Sequence, residues 1–362
     1  MRYLLLSTYL LLIVTARVTF PNAEVLQAPD LGIGNQATFK CKNQCRVYAD
    51  RKNDKLYVTQ KGNVIANFNS IVGGNIYSPA GFLLEAGDDY ILENRGDPNP
   101  EFVFYIVDTK APNYGAPMYT PTEKMGVAVK NTQRYFTVLS SYEAMWFSGF
   151  TGNYPDGYPR IYATGFDSAG DAQCHPAFQA RSQKNAENSW PSIATAVFTV
   201  DFGFIGDHNV SVNSRKAADP SKAAGMSTVY TSPGYVGCAF IVDQNYHSSL
   251  SRVNDAFAIS AERLDINALY YSVAPAEAVH FKVNDKVVDL VGTSAYSTSY
   301  GKGTFDVELS WIRQTPGSSF AIQLDFGSTS DPPISTTTKS SRSFNVLHAF
   351  ALLSVAFLWA RM

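Results

Sequence analysis

Apolar and polar residues alternate with a period of two along several stretches of this chain. In Phe305-Asp306-Val307-Glu308-Leu309-Ser310-Trp311 each odd position is apolar and each even one polar. Phe320, Ile322, Leu324 and Phe326 repeat the pattern, as do Phe198, Val200, Phe202 and Phe204. That period sets one row of side chains on a core and the other in water, which predicts antiparallel strands. Phe102 to Val107 is apolar without a break, predicting a central strand buried on both faces. Val279 to Val283 and Lys286 to Leu290 flank Asn284-Asp285 and read as a hairpin with a two-residue turn.

Shorter runs predict strands at 46–49, 55–59, 63–68, 90–93, 134–139, 160–164 and 239–242. Asp88-Asp89, Asn94 to Pro98 and Pro155-Asp156-Gly157 supply turns between them. Ser251 to Leu269 alone offers a helix of any length, and Asp207 to Met226 reads as a long polar loop. The expected fold class is therefore mainly β, built of antiparallel β-sandwich units, two in number, with little helix. Three prolines and a glycine between Lys110 and Thr122 mark a boundary. They separate an N-terminal sandwich at 24–112 from a second β-rich region at 118–326, which has room for two units.

The two ends follow other rules. Met1 and Arg2 precede an apolar run from Tyr3 to Val14, the pattern of a secretory signal peptide at 1–16. Cleavage after Ala16 fits the small or β-branched residues before it, with Ala23 the alternative. Residues 327–343 form a stalk rich in Ser, Thr and Pro, and 344–362 form a largely apolar tail. Small residues, a polar spacer and a terminal apolar tail form the signal for a glycosylphosphatidylinositol anchor, with Ser328 or Ser335 as attachment residue. The rival is a C-terminal transmembrane helix. Its apolar segment, broken by Asn345, His348 and Ser354, is shorter than the ~20 apolar residues that span a bilayer. Either way the body of the chain is expected on the extracellular face of the plasma membrane.

Charge narrows the partners. The net charge is −2, with 29 basic and 31 acidic residues and no basic stripe, so a nucleic-acid partner is not expected. Charged residues make up 17% and aromatic ones 13%, which suits half-buried sheets. Four cysteines in an exported chain predict two disulfides, and locality pairs Cys41 with Cys45 and Cys174 with Cys238. Asn209-Val210-Ser211 is the one N-glycosylation acceptor, expected at a polar turn after a strand.

The chemistry suggests binding more than catalysis. His175, His208, His247 and His280 stand in no metal-ligand spacing with one another. No nucleophile elbow, zinc helix or phosphate loop occurs, so no catalytic residue, metal or cofactor is assigned. Arg95-Gly96-Asp97 has the composition of an adhesion tripeptide, although Asn94 to Pro98 also makes a good turn. Trp146, Phe150, Asn153, Tyr154, Asp156 and Tyr158 bring rings beside Asn and Asp, the ingredients of a sugar-binding surface. The competing reading is a core strand that runs into a Pro-Gly loop.

Cys41 and Cys45 lead into Arg46-Val47-Tyr48-Ala49-Asp50, followed by the Gly62-Asn63-Val64-Ile65 hairpin, Gly87-Asp88-Asp89-Tyr90-Ile91 and the closing run Phe102 to Asp108. With the two terminal signals, this resembles the nematode families of secreted and surface proteins with CUB-like domains. The resemblance covers about the first third of the ectodomain. It implies a jelly-roll-like sandwich without catalytic activity and a link to responses to microbes at epithelial surfaces. The close cysteine spacing departs from ordinary CUB domains, and the calcium site of those domains is not carried over. The expected function is a non-enzymatic surface ectodomain that binds an extracellular glycan, microbial surface or protein. A structural or adhesion coat protein is the first alternative, and an extracellular hydrolase with a loop-built site the second.

Overall fold

A computed structural model describes residues 16–19, 23–27, 34–72, 81–98, 102–120, 124–129, 133–140, 144–163, 175–213, 225–232, 235, 237, 252–312 and 318–327. The described residues form five β-sheets. Sheet I orders Gln36–Lys40, Asp89–Asn94, Leu56–Gln60 and Asn63–Asn67. Sheet II orders Ala16–Thr19, Ala23–Gln27, Val103–Asp108, Cys45–Ala49 and Phe82–Leu84. Sheet III orders Met118–Tyr119, Tyr135–Leu139, Val197–Asp201, Arg160–Tyr162 and Phe178–Gln179. Sheet IV, with eight strands, orders Lys124–Val129, His208–Asn213, Met145–Thr151, Ser192–Ile193, Met226–Thr231, Ser319–Gly327, Arg263–Val273 and Gly292–Tyr300. Sheet V orders Arg252–Ala261, Gly303–Ile312, Val279–Val283 and Lys286–Leu290.

The sheets stack in that order, and an apolar core fills each interval. Phe39, Tyr90, Val47, Phe104 and Ile106 lie between sheets I and II, with the short helix Phe68–Val72 closing one side. Val25, Tyr105, Val107, Met118, Leu139 and Val197 lie between II and III. Phe136, Phe198, Val200, Phe147 and Val212 lie between III and IV. Ile266, Ile322, Leu324, Phe281, Leu309 and Trp311 lie between IV and V. The period-two geometry of a strand lets one run serve two cores. Phe104 and Ile106 face one way while Val103, Tyr105 and Val107 face the other, so Val103–Asp108 is buried throughout. The sequence boundary at 110–122 falls at the connection between sheets II and III, and an apolar core spans it.

Alternation also appears where both faces are buried. Thr199 and Asp201 sit on the side of Val197–Asp201 that the sequence assigns to water, yet both are fully buried. Hydrogen bonds replace that water. Asn113 donates to Tyr105, Thr137 and Thr199 across the II–III interval, at 3.2, 3.3 and 3.2 Å. Arg134 grips Asp201 through two hydrogen bonds of 2.6 and 2.7 Å. In Ser319–Gly327 the polar row turns to the side of sheet IV where the helix Gln183–Asn188 lies. There Arg181 contacts Asp265 at 2.5 Å and Asp325 at 3.4 Å, and Ser227 and Gln323 also bind Asp325. A buried carboxylate is costly without such partners. Burial still pushes the Asp325 carboxyl up, against the pull of Arg181.

Two other expectations change. Ser251 to Leu269 is no helix but part of two long strands, Arg252–Ala261 and Arg263–Val273. Its apolar residues fall on odd positions through Phe257 and Ile259, then on even ones from Leu264. Asp207 to Met226 holds the strand His208–Asn213 where a loop is expected, and 214–224 lie outside the described residues. Cys41 and Cys45 form a buried disulfide, whereas Cys174 and Cys238 lie outside the described residues. Beside them, the His175 amide donates to the Gly237 carbonyl at 2.8 Å. The strand candidate at 239–242, the signal peptide core, the stalk with Ser328 and Ser335, and the apolar tail also lie outside.

Candidate functional site

The strand Met145–Thr151 splits the expected aromatic cluster between two faces of sheet IV. Simple alternation would set Phe147 and Phe150 on opposite sides, since they are three apart. A register shift between Ser148 and Thr151, with Gly149 at φ 62°, inserts the extra residue that brings both to one side. Phe147 and Phe150 stack at 6.1 Å inside the III–IV core, fully buried. Tyr154 is buried in the same core. Phe150 and Tyr154 are thus interior side chains and present no face to a ligand.

Trp146 points the other way. It is half-buried and stacks on Trp190 at 5.9 Å, with Tyr230 edge-on at 6.0 Å. Phe257 of sheet V meets Trp190 edge-on at 5.5 Å. The Trp190 indole N–H points to the Met226 sulfur at 2.8 Å, and the Tyr230 hydroxyl donates to Asp255 at 2.5 Å. Burial, and then the Asp255 carboxylate, push the Tyr230 phenol well above its usual range, so it stays a donor. This cluster fixes the Trp146 ring at the place where sheet V stops covering sheet IV.

Beyond Trp146 the same face continues over small and polar residues. Val127, Val210 and Val212 point into the III–IV core, so their neighbours Gly126, Ala128, Asn209 and Ser211 point away from it. Gly126, Ala128 and Asn209 are exposed, while Ser148 and Ser211 are half-buried and opposite in register. Among the described residues, no core residue of the IV–V interval comes from Lys124–Val129 or His208–Asn213. The result is an exposed shelf of small and polar residues with an anchored indole at its margin. Asn209 thus lies within a strand rather than at a turn, because Val210 and Val212 continue the alternation. It remains exposed, and an N-linked glycan there would leave from this shelf.

The other candidates lie elsewhere. Asn153 and Asp156 are exposed in the loop after the strand, and Tyr158 is half-buried against Gly203 with the Arg160 guanidinium 4.4 Å from its ring centre. Arg95, Gly96 and Asp97 form a closed turn. Asn94 accepts from the Gly96 and Asp97 amides, Arg95 pairs with Glu93 at 2.9 Å and lies over Tyr57, and Asn53 donates to Asp97 at 2.6 Å. Both arms of the tripeptide are bound to its own domain. His280 is exposed and contacts Asp289 across its hairpin at 2.7 Å, whereas His247 lies outside the described residues. Among the described residues there is no group of three or more His, Cys, Asp or Glu able to hold a metal, and no helix long and apolar enough to cross a membrane.

Trp146 is legible in the sequence as a ring beside polar residues, but its partners are not. Trp190, Tyr230 and Phe257 come from distant segments, and only sheet pairing brings them to it.

No family model matches the chain, and no curated protein matches it. Among solved structures, an uncharacterised protein of Listeria monocytogenes is similar at 10% identity over 86% of this chain, with a TM-score of 0.19. This chain spans 31% of that protein's length. The vicilin of Solanum melongena is similar at 9% identity over 86% of this chain and 75% of its own, with a TM-score of 0.16. Similarity at this level carries no argument about function.

Proposed function

We propose that this is an exported, surface-held binding protein whose ligand is a saccharide, taken up on the shelf beside Trp146. One observation carries the reading: a partly exposed indole, held rigid by Trp190 and Tyr230, borders an uncovered strip of hydroxyl and amide residues. A ring face offers apolar area to the C–H face of a sugar, and neighbouring polar groups fix its orientation. Rigid anchoring lowers the ordering cost of binding. The shelf is exposed rather than enclosed, which suits an extended or branched glycan better than a small substrate. The buried Cys41–Cys45 disulfide fits an oxidising compartment, in keeping with export. The reading is non-enzymatic, since the carboxylate beside the cluster, Asp255, is engaged by Tyr230.

Two measurements test it. The full chain displayed on cells is expected to bind a defined class of oligosaccharides on a glycan array, and silence across the array would refute the saccharide. A phosphatidylinositol-specific phospholipase is expected to release the protein from intact cells, and retention would refute the lipid anchor.

A further inference from the structure

The glycosylation acceptor Asn209-Val210-Ser211 and the Trp146 indole share one face of sheet IV. Asn209 is exposed on the strand His208–Asn213, whose Val210 and Val212 turn the other way into the III–IV core. In register, Asn209 stands opposite Thr151, Ser211 opposite Ser148, and Asn213 opposite Trp146. On the other side of the strand, Ala128 flanks Asn209 and Gly126 flanks Ser211. Four residues separate Asn209 from Asn213. At ~3.3 Å per residue the acceptor and the indole are therefore about 13 Å apart along the strand.

Between the two stand Ser211 and Ser148, short and half-buried, which offer hydroxyls to a passing sugar. Behind the indole stand Trp190 and Tyr230, so a chain of sugars that leaves Asn209 in that direction meets a ring already fixed in place. An N-linked glycan is bonded to the asparagine side-chain nitrogen, and its first few rings cover a span of this length. A short tether also holds its ligand at an effective concentration of the order of millimolar. A ring contact too weak to hold a free sugar is thus filled when that sugar is attached nearby.

We propose that Asn209 carries an N-linked glycan whose inner sugars lie over Ser211 and Ser148 and reach the Trp146 indole, so that the protein's own glycan is the resident occupant of the shelf. This rests on the reading of the chain as exported and of the shelf as a saccharide surface. The C–H faces and N-acetyl methyl groups of the inner sugars supply the apolar surface that the indole takes. A foreign saccharide must displace them, so the Asn209 glycan sets the concentration at which the shelf accepts one. Access is then governed by how that glycan is built or trimmed.

The test uses the full chain made in glycosylating eukaryotic cells with isotope-labelled sugars. Mass spectrometry is expected to find a glycan on Asn209. Nuclear magnetic resonance is expected to show sugar signals shifted upfield by the indole ring current. Those shifts are expected to vanish in Trp146→Ala and persist in Tyr158→Ala. Trimming the glycan to its first sugar with an endoglycosidase changes no residue, and is expected to tighten binding of an added saccharide on the array by about tenfold. An unmodified Asn209, or sugar signals alike in wild type and Trp146→Ala, overturns the proposal. So does array binding that trimming leaves unchanged. Trp146-dependent shifts in a chain that binds nothing on the array, trimmed or not, uphold the glycan contact and refute the foreign ligand. Array binding without such shifts does the reverse.

Discussion

His208 is a base enclosed by rings. Phe202 stacks on its imidazole at 4.3 Å, Tyr154 stacks at 5.3 Å, and Phe204 stands edge-on at 4.9 Å. Its Nδ1 is buried without a hydrogen-bond partner among the described residues, and the Phe204 carbonyl lies 3.4 Å from Nε2. Burial holds its pKa below the ordinary 6.5, although Asp207 and that carbonyl pull the other way. The folded state thus binds fewer protons than the unfolded one between its own lowered pKa and about 6.5, so stability falls as pH falls through that window. Denaturant midpoints are expected to drop as pH falls below about 6.5, and His208→Phe is expected to flatten that part of the profile. An unchanged slope in the variant would exclude His208 as the cause. At this scale the sequence was informative about kind and silent about neighbours. Trp146 could be named as a ring beside polar residues, but Trp190 and Tyr230 reach it only through sheet pairing. Phe150 and Tyr154 looked equally available and are core.

Among elements, the strand Met145–Thr151 carries the most consequence. Gly149 adopts φ 62°, a conformation that costs a residue with a side chain about 1–2 kcal/mol. Nothing lies within 4 Å of where its Cβ would stand, so the cost of Gly149→Ala is conformational rather than steric. That variant is expected to lose about 1–2 kcal/mol in denaturant unfolding. A neutral result would show that the strand can pair without the bulge. Without the bulge, strict alternation would set Phe150 on the Trp146 side, because one inserted residue reverses every later side chain. In Ser251 to Leu269 the period was present but disguised. Asp255 occupies an inward position there because Tyr230 receives it, and Glu262 shifts the phase before Leu264. Hairpins were plain, since Asn284 in one turn and Lys61-Gly62 in another supply the positive φ that such turns need.

Over the whole molecule, the β class follows from alternation, but the number of layers does not. A polar row on a strand reads as solvent-facing, and here several such rows are buried between stacked sheets by Asn113, Arg134 and Arg181. Apolar cores occupy all four intervals between the five sheets, so the described residues are expected to unfold as one cooperative unit. Trp146, Trp190 and Trp311 all report on sheets IV and V, while far-ultraviolet dichroism reports on every sheet. The two transitions are expected to coincide in urea, and an earlier dichroism step would show that sheets I and II melt alone. Binding of the saccharide class found on the array tests the role of the exposed end of sheet IV most directly. Wild type and Tyr158→Ala are expected to bind alike, while Trp146→Ala loses at least about tenfold, or 1.4 kcal/mol. Undiminished binding by a folded Trp146→Ala variant, or loss in Tyr158→Ala instead, would contradict the account.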